Sequence, residues 1–282
     1  MRTPSGRGAR RAVSVHVILL VLVIPYASVF GFWAIHSFQR AATQAVQSEA
    51  SGFQSAPGGL LNYLRVLQDP LIPRMLKNSV VVTGGSLILL FLSSSLAGFA
   101  ISKLNFRGKN QIFVLLLTGL MLVPAVILTP TFQLLKFTRL LNTYFALIGP
   151  YVALEIPIGT LIMKNFTDEI PGELLEAARI DGARSILVWY RIIVPLSVPA
   201  FIVVGLLGFL AFWNDYLLAI SFMTKSAMVM ATMAPSRFMI RYGGDTSLIL
   251  AASMVISLPA LVIFIVLQRY LVSGMIAGAI KA

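Results

Sequence analysis

The sequence predicts an all-α membrane protein of six transmembrane helices, with one short charged helix inserted between the fourth and the fifth. Two observations predict it. Hydrophobic residues make up 58% of the 282 and charged residues 11%, with a mean hydropathy of +0.89, against roughly 25% charged in a soluble domain. The apolar residues also gather into six runs, at 13–36, 77–101, 111–135, 144–163, 196–222 and 247–267, each near the about 20 residues that a helix needs to cross the hydrocarbon. Almost nothing is left over for a soluble domain.

In chain order, the stretch 1–12 is basic, with Arg2, Arg7, Arg10 and Arg11, and 13–282 forms the transmembrane domain. The first run is longer than a signal-peptide core, and bulky Tyr26 and Phe30 flank Ala27 and Ser28, a poor cleavage site, so it reads as a retained anchor. The segment 37–76 is expected to be an external loop. It breaks at Pro57-Gly58-Gly59 and ends in the semi-apolar Leu60-Leu61-Asn62-Tyr63-Leu64, a short surface helix. Lys103, Arg107 and Lys109 fill the turn after the second run. The fourth run carries Glu155 between Pro150 and Pro157, whose missing N–H donors are expected to kink the helix and open polar backbone to a cavity. The fifth carries Asp215, which helical spacing places near the face of Gly205, Gly208 and Phe212, a face of small residues suited to close helix contact. Under the positive-inside rule the N-terminus, the 103–109 turn and the charged segment 164–195 lie in the cytoplasm, and six spans return the C-terminus there. Lys136, Arg139, Lys225, Arg237 and Arg241 fall on the outer side of that topology.

Several function classes are excluded. The net charge of +12 comes from cations at the ends of runs, not from a stripe with interleaved aromatics, which argues against a nucleic-acid partner. There is no cysteine for disulfide, thiolate or metal chemistry. His16 and His36 are separated and read as packed or interfacial side chains, so no metal is expected. No G-x-x-x-x-G-K-[ST] loop is present to cradle ATP phosphates, and no G-x-S-x-G marks a hydrolase. Charged groups in the hydrocarbon cost roughly 2.5 to 3.5 kcal/mol, so Glu155 and Asp215 are expected to face an interior path or to be packed there.

The segment 164–195 carries the most specific pattern. Pro171 suits the first turn of a helix, Glu173 and Glu176 complement its N-terminal dipole, and Gly182 stands where a C-cap glycine belongs. Ala177 and Ala178 give a smooth face that another surface can approach, while Glu176 and Asp181 supply orienting charge. Glu176-Ala177-Ala178, three residues, Gly182, nine residues, then Ile192-x-Val194-Pro195 resembles the EAA loop of bacterial ABC importer permeases, with Val194 where that family usually has Leu. The resemblance runs from about Asn62 to Ala282. It includes Asn78-Ser79, Lys103-Leu104-Asn105-Phe106-Arg107-Gly108, Leu141-Asn142-Thr143-Tyr144, Trp213-Asn214-Asp215-Tyr216 and the tail Gln268-Arg269-Tyr270 to Lys281, and looks like the MalG-type permease of carbohydrate importers. Ser273 departs from the family's usual basic residue, and the first 60 or so residues match only as a generic span.

The resemblance implies a half-transporter. It would pair with a second, MalF-type permease, two ABC ATPase subunits that use ATP and Mg, and an extracytoplasmic sugar-binding protein, all at a lipid bilayer. Glu176, Ala177, Ala178, Asp181 and Gly182 would then couple to the ATPase. Sugar recognition needs carboxylate or amide groups for hydroxyls and an aromatic wall for the ring, and Trp213, Asn214, Asp215 and Tyr216, with Glu155, are the candidates for the translocation path. Disaccharide, amino sugar, polyol and glycerophosphodiester all fit. The rival readings are an ion-gradient carrier using Glu155 and Asp215, which leaves the EAA spacing unexplained, and a noncatalytic scaffold, which predicts docking of the cytoplasmic loop without solute flux.

Overall fold

The computed structural model describes residues 24, 28, 31–38, 58–241 and 246–279, with side chains described over 60–241 and 246–266 in the last two stretches. The basic stretch 1–12, most of the first expected span, the middle of the 37–76 loop and the side chains of the tail lie outside the described residues. The chain divides into two compact units, one of residues 1–69 with 235–255 and one of residues 70–234 with 256–282.

In the first unit, 31–37 is helical and helix α1 spans Gly58–Gln68, the short helix expected after the Pro57-Gly58-Gly59 break. Two polar side chains join these pieces. Ser37 Oγ lies 2.8 Å from the Tyr63 hydroxyl, and Asn62 Nδ2 donates to the Ser37 carbonyl at 3.0 Å. Arg241, one of the cations that the charge pattern left on the outer side, grips both carboxylate oxygens of buried Asp69 at 3.0 and 3.1 Å. Its charge is spent on an ion pair, so it says little about sidedness.

The second unit is built on two long helices, α2 (Leu71–Lys103) and α5 (Phe145–Asp168). The inward stripe of α2 mixes Asn78, Ser79, Thr83, Ser86, Ser94 and Ser95 with Val82, Leu90 and Phe99, while Val80, Ile88 and Leu92 are exposed. Polar residues turned inward and apolar ones outward are the arrangement that a lipid solvent selects. Gly98 allows the close approach of the two helices: a Cβ there would stand 2.8 Å from Met163 Cβ and 2.9 Å from the Lys164 backbone nitrogen. Asn78 explains why an amide is tolerated in the core, since its Nδ2 donates to the Ala227 and Val229 carbonyls and its Oδ1 accepts from Tyr144.

Two expected spans are not single helices. The third run forms α3 (Lys109–Thr118), a 3-10 turn Gly119–Met121 and α4 (Pro124–Phe137), bent by 101°. The cause is Pro124, which forces Val123 into an extended conformation with φ −91° and ψ 138°. The fifth run likewise breaks. Beyond the short helix α6 (Gly172–Ile180), the chain runs through α7 (Ser185–Val188), a π turn at Trp189–Ile193 and Val194–Leu196, then bends by 78° at Ser197 into α8 (Val198–Asn214). Pro195 and Pro199 flank that bend. α8 ends at Asn214, so Asp215 is not inside a continuous span; it is extended, with φ −67° and ψ 124°, and leads to α9 (Leu217–Phe222). By contrast α5 runs unbroken through Pro150 and Pro157, each of which removes one backbone donor without ending the helix.

Helix α10 spans Ala234–Arg241 and α11 spans Thr246–Ala279. Among the described residues three helices, α2, α5 and Thr246–Val266 of α11, are long and apolar enough to cross a membrane, or five spans if each bent pair is one.

Candidate functional site

Two features of the second unit are candidates for function: the capped helix α6 and a cavity beside α5. Helix α6 opens after Pro171, which sits at the N-cap with ψ 135°, one position earlier than expected. It closes on a Schellman motif. The Gly182 amide donates to the Arg179 carbonyl at 3.0 Å and the Ala183 amide to the Ala178 carbonyl at 2.9 Å, with Gly182 at φ +79°. Two carbonyls that a helix end leaves unpaired are thereby satisfied.

The inner face of α6 stands on an apolar cluster of Phe99, Ile170, Leu175, Val188 and Ile193, with Ala178, Ala183 and Trp189 packed against it. Lys103 at the end of α2 adds a polar tie, donating to the Ile170 carbonyl at 2.7 Å. Glu173, Glu176, Ala177, Asp181 and Gly182 are exposed, and so are Leu174 and Ile180 at 46% and 86%. Of the two alanines, Ala177 therefore lies on the open face and Ala178 on the packed one. Leu174 and Ile180 are surface residues that the sequence reading did not single out; their signal is their spacing on either side of buried Leu175.

The cavity, of about 240 Å³, is lined by Gly119 and Leu122 before the bend, by Tyr151, Leu154, Glu155 and Ile158 of α5, and by Ala211, Phe212, Asp215 and Leu218. It thus joins Glu155 and Asp215, the two intramembrane carboxylates. Asp215 is engaged through one carboxylate oxygen. Its Oδ2 accepts from the Tyr151 hydroxyl at 2.9 Å and from the Leu218 and Ala219 amides at 3.1 Å each, and its own carbonyl accepts from Thr232 Oγ1 at 2.9 Å. The carboxylate therefore caps α9 and pins the end of α8 to α5. Glu155 is half-buried and has no hydrogen bond or ion pair among the described residues.

The neighbours of Asp215 in sequence point elsewhere. Trp213 is buried, stacked on Phe209 and donating to the Ile256 carbonyl at 3.2 Å. Asn214 turns back onto the Leu210 carbonyl, and Tyr216 is exposed and away from the lining. Tyr151 stacks on Phe212, centroids 5.4 Å apart and planes 8° from parallel, and at 3% and 2% exposure both rings edge the cavity without presenting a free face to it. Tyr151 was available to sequence reasoning through its i, i+4 relation to Glu155 on one helix face.

Residues 90–277 match the model of the binding-protein-dependent transport system inner membrane component family, and the chain belongs to that family. It is a multi-pass protein of the cytoplasmic membrane and an ABC permease subunit, not an enzyme by itself. The trehalose/maltose transport system permease protein MalG of Thermococcus litoralis is 35% identical over 226 residues, 79% of this chain and 81% of that one. The trehalose transport system permease protein SugB of Mycobacterium tuberculosis is 30% identical over 278 residues, 97% of this chain and 99% of that one, so the likeness reaches into the N-terminal residues that matched only as a generic span. A chain from a bacterial ABC transporter involved in the import of the acidic polysaccharide alginate shares the fold, with a TM-score of 0.73 at 19% identity over 96% of this chain and 99% of that one.

Proposed function

We propose that this chain is one permease half of an ATP-driven importer that moves a sugar or polyol-type solute into the cell by alternating access. The observation that carries the proposal is α6, closed by its Schellman motif and seated on residues from three other elements. A partner ATPase, using ATP and Mg, grips the exposed face of Glu173, Glu176, Ala177, Asp181 and Gly182. Its closure displaces α6 as a body, because a short capped helix on a packed base has little room to bend. Phe99 carries that displacement to α2, Ile170 to the end of α5, and Val188 with Ile193 to the segment leading into α8. Moving a two-state bundle from 1:99 to 99:1 takes about 5.5 kcal/mol of differential binding, and this base is where it enters the membrane helices.

The saccharide assignment is supported by the relatives' named solutes and by a cavity whose lining includes carboxylates able to accept from hydroxyls. A MalF-type permease completes the path, and an extracytoplasmic binding protein delivers the solute. The test is uptake of labelled sugar into proteoliposomes holding the assembled transporter. Uptake should need internal ATP and ignore an imposed proton or sodium gradient; gradient-driven uptake without ATP would return Glu155 and Asp215 to the ion-site reading.

A further inference from the structure

We infer that Glu155 is the group in this chain that reads the solute, and that it selects saccharides which are neutral or carry an amine over acidic ones. The inference rests on the saccharide reading above and deepens it.

The argument is one of accounting in the cavity. Among the described residues its polar lining side chains are Tyr151, Glu155 and Asp215, with no Lys, Arg or His. Tyr151 spends its hydroxyl proton on Asp215. The Asp215 carboxylate already takes three hydrogen bonds at Oδ2, two of them as the cap of α9, so its orientation is set by the protein. Glu155 alone has both oxygens without a partner among the described residues, on a wall of the same cavity as the Tyr151–Phe212 stack. A sugar hydroxyl that enters the cavity can donate to Glu155, and an ammonium placed there would gain a charge-assisted hydrogen bond. A uronate would bring a third carboxylate toward two others with no cation in the lining to offset the repulsion. Glu155 also stands mid-helix on α5, an element rigidly packed on α2 through Gly98, so its position is fixed before solute arrives.

The experiment uses the assembled transporter in lipid nanodiscs, with maltotriose, a glucosamine trisaccharide and trigalacturonate as probes, and binding read by saturation-transfer NMR alongside uptake in proteoliposomes. Wild type should bind the first two, the amino sugar more tightly, and not trigalacturonate. Glu155→Gln should weaken the amino sugar at least tenfold and maltotriose only a few-fold, and Glu155→Arg should admit trigalacturonate. Asp215→Asn should instead lower the thermal midpoint and keep the wild-type order of preference. Unchanged selection in Glu155→Gln, or trigalacturonate bound by wild type as well as maltotriose, would overturn the inference while leaving the saccharide reading standing. Loss of the partner permease from Glu155→Gln would also overturn it, by making Glu155 an interface group. If wild type neither binds nor transports any of the three, the saccharide reading itself fails.

Discussion

Gly182 holds φ +79°, and a Cβ built on it would meet nothing within 4 Å, so any cost of a side chain there is a backbone cost alone. Gly182→Ala should destabilise the end of α6 by about 1 kcal/mol, whereas Gly182→Asn, which tolerates the left-handed region, should cost less. Hydrogen exchange at the amides of residues 182 and 183 reads this directly, and should speed up in the order wild type, Asn, Ala. Tyr151 offers a second single-residue test. Tyr151→Phe keeps the stack on Phe212 and deletes the bond to Asp215, so the purified chain should lose about 1 kcal/mol of stability, seen as a lower thermal midpoint. Tyr151→Leu, which loses the stack as well, should fall further. An unchanged midpoint in both would mean that the Tyr151–Asp215 contact does not hold α5 to the α8–α9 break.

Among elements, the α2–α5 pair sets the frame on which both functional features hang. Gly98→Ala drives a methyl into the Met163 and Lys164 backbone region, where rigid helix atoms cannot yield as a flexible side chain would. The expected loss is roughly 1–3 kcal/mol, measurable as a drop in thermal midpoint and in yield of assembled complex. Helices were legible in the sequence where apolarity and backbone geometry agree, as in α2, α5 and α11. Where they part, the runs misled: 111–135 and 196–222 are each apolar enough to read as one span, yet the first is bent at Pro124, and the second bends at Ser197 beside Pro199 and is broken again at Asp215. Hydropathy reports which solvent a segment prefers and says nothing of a missing N–H. The prolines were visible, but the same residue type passes unbroken through α5 at 150 and 157, so the outcome depends on the packing around each one.

At the scale of the whole molecule, the two functional features differed in how far sequence could reach them. Helix α6 is local: its cap, its acidic first turn and its C-terminal glycine lie within twelve residues, and the structure forms the helix with that end. The cavity is not local. Its lining is drawn from segments 119–124, 151–158 and 211–218, and of the four residues that adjacency along the chain grouped, only Asp215 lines it: Trp213 and Asn214 point along α8, and Tyr216 follows the break after Asn214. The central claim is that α6 is the joint through which a separate ATPase drives the membrane helices. The most direct test is to co-purify the ATPase subunits with wild type, Gly182→Pro and Glu176→Lys, and to measure ATP-driven sugar uptake on the same preparations. Proline cannot adopt the left-handed conformation that closes α6, and the charge reversal opposes whatever basic group meets Glu176. Both variants should insert in the membrane normally, yet shed the ATPase or hydrolyse ATP without moving solute. Full ATPase retention together with normal uptake in both would contradict the account.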